Sequence, residues 1–340
     1  MNEDKQPTVS IVVPAHNAGS FLCRCLDSLL AQTYGEMQII VVENGSTDST
    51  LSLALSYKDM GVDVCVSAKI GVCAARNMGI DRATGEYIGF VDADDWVEPE
   101  YVAEAVSLIV DNGLDIVVGG TEKVMGGRAS LLQLSSREFT LLEGDAVTKY
   151  ISQVLTNNSF GDTGLGTCHA SANWCHLFTR EIIGNHRFDE EVRYGEDSLF
   201  NVEVALSAQR IGVSSNIWYH YLMQSNSAVF RLTRRSDCDI RAMSNKLLNL
   251  GYLTPECRQY AFCKSVNALH AVVRRSVNSG LTFRESLAFI KDLMRDGYWE
   301  SLFEQFDCCI SSLARSRRFM VWCLTHNFAA PLILTMRLNR

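Results

Sequence analysis

Three carboxylates near residue 90 are the side chains whose types and spacing most directly suggest chemistry. Residues 87–91 form a short apolar run rich in strand-favouring side chains, and Asp92, Asp94 and Asp95 follow it without a spacer. Clustered carboxylates repel one another unless a cation neutralises them, and hard divalent cations prefer oxygen ligands. The spacing therefore predicts a strand whose carboxyl end holds a metal ion, with a solvated acidic loop as the alternative.

Alternating strand and helix patterns would position these acids. Apolar, β-branched runs predict further strands at residues 9–14, 37–42, 62–66 and 115–118. Helical spacing of apolar residues occupies the segments between them, at residues 21–32, 48–57, 71–83 and 98–110. This order predicts an α/β fold with a mainly parallel sheet flanked by helices, and such sheets bind ligands at their carboxyl edge.

The second half of the chain has a less regular pattern. Residues 119–142 predict a loop or hairpin, residues 144–155 and 174–183 predict helices, and residues 211–222 predict one or two strands. A helix with acids in its first turn is predicted to begin at Glu196. Amphipathic helices then follow one another without strands, which predicts a helical C-terminal region over residues 231–340.

The composition is that of an ordinary globular protein. The chain has 340 residues and a formal net charge of −8, which disfavours a nucleic-acid partner because such proteins present basic surfaces. The first seven residues are polar and lack a secretory signal pattern, so we expect a cytoplasmic location. The close pairs among the 12 cysteines lack zinc-ligand or redox spacing, which favours reduced, buried thiols.

The C-terminal segment is basic and apolar. From Cys308 to Arg340 it contains five arginines and no acidic residue, and its apolar stretch at residues 319–336 is interrupted and short for a membrane-spanning helix. Two interpretations stay open. The segment at about residues 308–340 lies on the anionic cytoplasmic face of a membrane, or it packs on the protein body with its arginines solvated.

Five motifs occur in a recognisable order. They are Val-Ser-Ile-Val-Val-Pro-Ala-His-Asn at 9–17, Val-Glu-Asn-Gly-Ser-Thr-Asp at 42–48, Ala-Arg-Asn-Met-Gly at 75–79, Gly-Glu-Tyr-Ile-Gly-Phe-Val-Asp-Ala-Asp-Asp at 85–95 and Gly-Glu-Asp-Ser-Leu-Phe-Asn at 195–201. Over roughly the first two thirds of the chain they resemble the successive motifs of family 2 glycosyltransferases. The resemblance implies a GT-A domain at residues 1–230, with a nucleotide-binding half at about 1–120 and an acceptor-binding half at about 121–230.

The resemblance also implies an activity and a metal site. Members of the family move a sugar from a nucleotide donor to a hydroxyl acceptor, usually with inversion and a divalent metal. The match places the metal and the donor diphosphate at Asp92 and Asp94, with Asp94 as the preferred ligand and Asp95 as a ligand or a partner of one. Mg²⁺ or Mn²⁺ suits these oxygen ligands.

The implied donor site draws on several motifs. Its residues are Pro14, Ala15, Asn17, Glu43, Asn44, Arg76, Asp92 and Ala93. Glu43 matches an acid that accepts a hydrogen bond from the base, which favours a UDP-sugar. The chain departs from the family at His16, where an aromatic is more common, and at Asn44, where the family has a second aspartate. Arg76 would pair with phosphate or with the acidic loop, and a structural role is its alternative.

The implied acceptor side rests on two further stretches. Asp197 matches the general base that takes the acceptor's proton on the face opposite the leaving group, and Glu196 would orient the acceptor or the loop. Helix capping is the alternative for both acids. Trp174 and His176 match an acceptor-site stretch in which the family has a lysine at position 176, and core packing is equally compatible with Trp174.

These features predict an inverting, metal-dependent glycosyltransferase that uses a UDP-sugar and a saccharide or lipid-linked saccharide acceptor in surface polysaccharide or glycoconjugate synthesis. The alternatives are a sugar-1-phosphate nucleotidyltransferase and a non-catalytic nucleotide-sugar-binding protein. Nucleotidyltransferases open with a glycine-rich loop followed by a lysine, whereas residues 14–20 contain one glycine and no lysine. The presence of Asp92, Asp94 and Asp197 argues against a decayed site.

Overall fold

A computed structural model gives the structure of the chain. It describes residues 6–125, 128–131, 138–156, 170–223, 236–251, 253–279 and 281–338. The chain divides into two compact units. The first comprises Met1–Glu190 and Glu196–Gln224, and the second comprises Glu191–Gly195 and Ser225–Arg340.

A ten-stranded sheet forms the centre of the first unit. Its strands are β1 (Val9–Ala15), β2 (Met37–Glu43), β3 (Val62–Val66), β4 (Tyr87–Phe90), β5 (Trp96–Val97), β6 (Ile116–Met125), β7 (Arg128–Leu131), β8 (Phe139–Glu143), β9 (His176–Thr179) and β10 (Arg210–Leu222). The order across the sheet is β3-β2-β1-β4-β9-β6-β10-β5, with β7 paired to β6 and β8 paired to β10. The predicted α/β class is confirmed.

The sheet has a parallel half and a mixed half. Strands β3, β2, β1 and β4 run parallel to one another, as the alternating sequence pattern predicts. Strand β9 is antiparallel to both of its neighbours, β4 and β6, whereas β6 and β10 are parallel. The carboxyl ends of β1, β2, β3 and β4 therefore share one edge, and that edge carries the predicted donor residues.

Seven helices are described in the first unit. They are α1 (Leu22–Leu30), α2 (Thr50–Ser56), α3 (Val72–Arg82), α4 (Tyr101–Asn112), α5 (Val147–Thr156), α6 (Arg180–Ile183) and α7 (Glu196–Ala205). Helix α3 approaches β1 closely because Gly79 has no side chain. A Cβ at this position would lie only 2.1 Å from Cγ1 of Val12. This contact fixes the helix against the sheet one turn after Arg76.

The predicted helix at residues 174–183 is wrong in its first part. His176–Thr179 is strand β9, inserted between β4 and β6, and only Arg180–Ile183 is helical. His176, Leu177 and Phe178 are fully buried, so their backbone groups are satisfied by two neighbouring strands. A strand of four residues is too short for its sequence pattern to distinguish it from a helix segment.

The second unit is helical in its described residues. Its helices are α8 (Ser236–Leu248), α9 (Pro255–Asn278), α10 (Phe283–Leu293), α11 (Tyr298–Gln305), α12 (Asp307–Ile310), α13 (Arg315–Thr325) and α14 (Ala329–Leu338). Thr254 and Thr282 cap α9 and α10 through their side-chain oxygens. Within the described part of the chain, no helix has the length and apolarity needed to cross a membrane, and no disulfide joins two cysteines.

Candidate active site

The three acids after β4 lie in different environments. Asp95 is fully buried and accepts hydrogen bonds from the Tyr219 hydroxyl (2.6 Å) and the Leu222 amide (2.7 Å). Burial, together with the charges of Asp94 and Asp92, raises the pKa of the Asp95 carboxyl well above its usual range. Asp92 and Asp94 are partly exposed. Asp95 therefore fastens the acidic loop to β10, whereas Asp92 and Asp94 keep part of their surface exposed.

Arg76 on α3 connects this acidic loop to helix α7. Its side chain is 5% exposed, and its guanidinium pairs with Asp92 Oδ1 at 3.1 Å and with Glu196 Oε1 at 3.2 Å. It also lies over the Phe188 ring, 5.2 Å from the centroid. Burial alone would lower the pKa of this guanidinium, but the negative charges of Asp92, Glu196 and Asp197 raise it above the ordinary value. The pairing brings two motifs 120 residues apart to one place.

Glu196 and Asp197 open α7 at this point. Burial and the charge of Asp197 raise the pKa of Glu196 to about 7, although Arg76 opposes the shift. The side chain of Glu196 is 16% exposed. Asp197 is partly exposed, and its Oδ1 accepts the amide of Ser198 at 2.7 Å. Both acids thus lie in the first turn of α7, and Glu196 is the one that pairs with Arg76.

The acid cluster fits a cation that shares its ligands with a substrate. Among the residues described, no group of three or more histidine, cysteine, aspartate and glutamate side chains is arranged to hold a metal unaided. Asp95 is engaged with Tyr219 and Leu222, whereas Asp92 and Asp94 are partly exposed and Asp92 pairs with Arg76 through Oδ1. Mg²⁺ is commonly held by one or two carboxylates plus substrate phosphates and water, and this donor set matches that pattern.

The loops after β1 and β2 bind each other through polar side chains. The Asn17 side chain accepts the amide of Thr47 at 2.9 Å, and the Gly19 amide donates to Asp48 Oδ2 at 2.9 Å. His16 Nδ1 lies 2.8 Å from the Asn44 carbonyl, so this nitrogen carries the proton and Nε2 accepts from the Asn17 amide at 3.1 Å. The loops are therefore held in a fixed arrangement by their own contacts.

Glu43 and Asn44 are buried beneath these loops. Glu43 Oε1 accepts the amide of Ser46 at 2.5 Å. The Asn44 side chain donates to the Lys69 carbonyl at 2.7 Å and accepts the Gly71 amide at 2.6 Å. Asn44 thus fastens the loop after β3 to the end of β2.

A small pocket opens where these loops meet α3. Its volume is about 190 Å³, and it is lined by Pro14, Ala15, His16, Asn44, Ile70, Gly71, Val72 and Ala75. Ile70 is 81% exposed at its rim. Three of the predicted donor residues, Pro14, Ala15 and Asn44, line the pocket, whereas Glu43 and Asn17 support the loops around it.

The predicted acceptor residues are buried. Trp174 is 6% exposed and stacks on Tyr219 and Tyr221, with ring centroids 4.6 and 5.4 Å apart. His176 is fully buried, 2.8 Å from the Tyr150 hydroxyl and 2.9 Å from the Trp174 carbonyl. Burial lowers the pKa of His176 to about 4. Both side chains therefore lie among packed aromatic residues, and His176 has no exposed surface that an acceptor could contact.

Two residues that position the acidic loop were not identified from the sequence. Tyr219 on β10 donates to Asp95 and accepts the amide of Asp92 at 3.1 Å. Arg24 on α1 donates to the Asp94 carbonyl at 2.7 Å and lies 3.8 Å from the centroid of the Trp96 ring. Trp96 in turn stacks on His220 at 5.0 Å. The sequence predicts a strand around Tyr219, but it gives no signal for a contact with Asp95, which lies 124 residues earlier.

A small pocket and a partly exposed acid cluster lie at the carboxyl edge of a parallel half-sheet, the edge at which α/β proteins bind ligands. Residues 10–175 match the family described as Glycosyl transferase family 2. This match confirms the predicted family for that part of the chain. Uncharacterized glycosyltransferase EpsJ of Bacillus subtilis is 32% identical over 225 residues, which cover 65% of this chain and 62% of EpsJ. The chain therefore spans less than two thirds of that relative.

Solved structures share the fold at lower sequence identity. Staphylococcus aureus TarS 1-349 in complex with UDP-GlcNAc superposes with a TM-score of 0.71 at 18% identity, covering 97% of this chain and 90% of TarS 1-349. The mannosyltransferase PcManGT of Pyrobaculum calidifontis, in complex with GDP-Man and Mn²⁺, gives a TM-score of 0.54 at 16% identity, covering 97% of this chain and 87% of PcManGT. These likenesses support the GT-A type of α/β fold for the chain.

Proposed function

We propose that the protein is an inverting glycosyltransferase that transfers a sugar from a nucleotide diphosphate donor, a UDP-sugar, to a hydroxyl group of a saccharide or lipid-linked saccharide. The observation that carries the proposal is the Arg76 bridge. It brings Asp92, at the end of the nucleotide-side strand β4, together with Glu196, the neighbour of the candidate base Asp197. Donor activation and acceptor deprotonation need such groups within one site.

In this proposal the pocket at His16 and Asn44 holds the nucleoside, and the diphosphate extends toward Asp92 and Asp94. Asp94 is the preferred ligand for Mg²⁺ or Mn²⁺, with Asp92 as the second carboxylate and Asp95 positioning the loop behind them. Held there, a divalent cation would neutralise the charge that develops on the departing diphosphate. PcManGT, of similar fold, was solved with Mn²⁺, which supports this choice.

Asp197 is the proposed general base. Inversion requires the acceptor oxygen to attack opposite the leaving group while a carboxylate takes its proton. Glu196 has one oxygen bound to Arg76, so we assign it a positioning role, in which it orients the acceptor or the start of α7. His176 receives no role because it is fully buried, and Trp174 could contact an acceptor only through its small exposed part.

The donor class follows from the fold and from relatives. TarS binds UDP-GlcNAc, and its relationship supports a UDP-sugar for this chain. A poly(ribitol-phosphate) β-glucosyltransferase of Bacillus spizizenii, 28% identical over 226 residues, supports a role in surface polysaccharide or glycoconjugate synthesis. We place this activity in the cytoplasm.

A donor screen tests the proposal directly. Purified full-length protein is incubated with UDP-, GDP- and dTDP-sugars, with Mn²⁺ or with a chelator, and hydrolysis and thermal stabilisation are measured. We expect one UDP-sugar to raise the melting temperature and to be turned over only with the metal. Stabilisation without turnover would favour a non-catalytic binder, and formation of a nucleotide sugar from a sugar-1-phosphate would favour a nucleotidyltransferase.

Asp197→Asn tests the base. Loss of a general base lowers the rate by about 10²- to 10⁴-fold, while UDP affinity should stay close to that of the wild type. Glu196→Gln, which keeps an oxygen for Arg76, is the adjacent comparison, and Glu143→Gln, a surface carboxyl paired with Arg210, is the matched control. A larger rate loss in Glu196→Gln than in Asp197→Asn would reverse the assignment of the two acids.

A further inference from the structure

The last two helices of the second unit each have a buried face and an exposed apolar face. Helix α13 buries Met320, Val321, Cys323 and Leu324, and α14 buries Ala329, Leu332, Ile333 and Met336. Contacts with α9 and α10 hold the pair in the helical unit. The segment thus packs on protein, yet this packing uses only one side of each helix.

Large aromatic side chains occupy the other side of α13. Trp322 is 48% exposed and Phe328, in the turn after α13, is 46% exposed. Trp322 stacks on Phe328 and on Phe319, with centroids 5.2 and 6.4 Å apart. A stacked, solvent-facing tryptophan is unusual for a surface with no partner, because its apolar area remains in contact with water.

Helix α14 continues this apolar character. Leu334 is 54% exposed and Leu338 is 84% exposed, and both lie on one face of the helix with exposed Pro331. Interior positions of the same helix carry its packing contacts, so the outer leucines are not required for the local core. Both helices therefore present apolar side chains outward.

Positive charge accompanies the exposed aromatics. Arg315 and Arg318 are exposed and precede Trp322 by seven and four residues, which puts them on its face of α13. Arg317 and Arg337 instead bind inward, to Asn267 and to Ser286. No acidic residue follows Asp307, although the whole chain has a net charge of −8. The charge on this face is thus opposite to that of the protein as a whole.

We propose that Arg315, Arg318, Trp322, Phe328, Leu334 and Leu338, here called the C-terminal face, dock the protein onto an anionic lipid surface. The helices have 11 and 10 residues, too few to cross a bilayer of about 30 Å, so they would lie in the interface. Aromatic side chains favour that interface, and arginines are attracted to anionic headgroups. Exposed leucines distinguish a lipid surface from a soluble polyanion, which would be bound by charge alone.

Vesicle flotation of the full chain tests this proposal. We expect binding to phosphatidylcholine vesicles that contain phosphatidylglycerol, and weak binding to phosphatidylcholine alone. Loss of one arginine near an anionic surface weakens binding about fivefold, so Arg315→Glu with Arg318→Glu should weaken it at least about 25-fold. Trp322→Ser with Phe328→Ser should reduce binding at least about tenfold through lost apolar burial.

Matched variants separate this face from general effects. Lys58→Glu with Arg295→Glu changes the net charge equally at exposed sites elsewhere, and Leu55→Ser with Met60→Ser removes exposed apolar side chains of the first unit. Both control variants should bind vesicles as the wild type does. Brominated lipid should quench the wild-type fluorescence but not that of Trp322→Phe, which keeps the aromatic surface and the fold.

Several outcomes would overturn the proposal. These are no flotation of the wild type with anionic vesicles, equal losses in the control variants, and quenching that is unchanged in Trp322→Phe. Binding of polyphosphate that competes with vesicles and is insensitive to the Trp322 and Phe328 changes would identify a polyanion site instead. A concentration-dependent dimer that Trp322→Ser with Phe328→Ser abolishes, without vesicle binding by the wild type, would identify a contact between two copies.

Discussion

The loops after β1 and β2 lie at the same edge of the sheet as a set of acids, here called the acidic edge (Asp92, Asp94, Asp95, Glu196 and Asp197), but the carboxylates of the two regions differ in their surroundings. In the loops, Asp48 accepts hydrogen bonds from the Thr50 hydroxyl and from the amides of Thr50 and Gly19, and these donors lower its pKa. At the acidic edge, burial and neighbouring negative charge raise the pKa of Asp95 and Glu196. One region satisfies its polar groups internally, and the other keeps a surplus of negative charge.

This difference indicates what each region can bind. Loops whose polar groups are satisfied by one another present a preformed pocket to an uncharged ring system. Carboxylates that are close together and partly buried favour a cation, because a positive charge relieves their mutual repulsion. The Arg76 guanidinium supplies part of that charge to Asp92 and Glu196. A metal and a diphosphate would then bind next to carboxylates whose negative charge Arg76 already neutralises in part.

Replacing Arg76 by methionine is the strongest test of this comparison. Removing one member of a buried ion pair leaves uncompensated charge, so the free energy of unfolding should fall by about 3–5 kcal/mol. Arg82→Met, which removes the exposed pair with Asp63, should cost less than about 1 kcal/mol. Urea denaturation measures both. Equal stability losses in the two variants would show that the acidic edge does not depend on this arginine.

The pH dependence of stability provides the next test. Because the folded protein raises the pKa of Glu196 from 4.5 to about 7, its stabilising contribution is complete below pH 4.5 and is lost as the pH rises through 7. The stability difference between the wild type and Glu196→Gln should therefore fall by about 3 kcal/mol across this range, at 1.36 kcal/mol per pKa unit. The wild type must be compared with Glu196→Gln because His176 adds a pH dependence of opposite sign. Its pKa is lowered to about 4, so its contribution to the stability of the protein increases as the pH rises from 4 to 6.5.

The profile for this test is recorded by urea denaturation at half-unit steps from pH 4 to pH 8, with His176→Gln as a separate control. In that control, the wild-type loss of stability toward low pH should diminish. A flat difference between the wild type and Glu196→Gln would mean that Glu196 has an ordinary pKa. The acidic edge would then lack the excess negative charge that distinguishes it from the loops.

Asn44→Ala tests the loop side and should have the smallest effect. It leaves the Lys69 carbonyl and the Gly71 amide without their buried partner, which costs about 1–3 kcal/mol locally. We expect faster hydrogen exchange at Gly71 and weaker UDP binding, with the acidic edge unchanged. Asn249→Ala is the control, because it removes an exposed hydrogen bond from the residue after α8 to the Asn245 carbonyl. Unchanged exchange at Gly71 would contradict a loop held by Asn44.

Much of the parallel half-sheet could be predicted from the sequence. The apolar runs at β1, β2, β3 and β4 are long or regular enough to show their period, and the predicted strands lie within a residue or two of the observed ones. Strand β9 could not be predicted, because its four residues are identified as a strand only by β4 and β6 on either side. Its pairing partners are far away in the chain.

The sequence by itself determined the family, the acids after β4 and the pair at the start of α7, since each depends on residue type and order. Only the tertiary structure decided which acids remain exposed. Asp95 is buried by Tyr219 and Leu222, which follow it by more than 120 residues, whereas Asp92 meets Arg76 and stays partly open. Burial and charge compensation are properties of spatial neighbours, and the fold assembles those neighbours from distant parts of the chain.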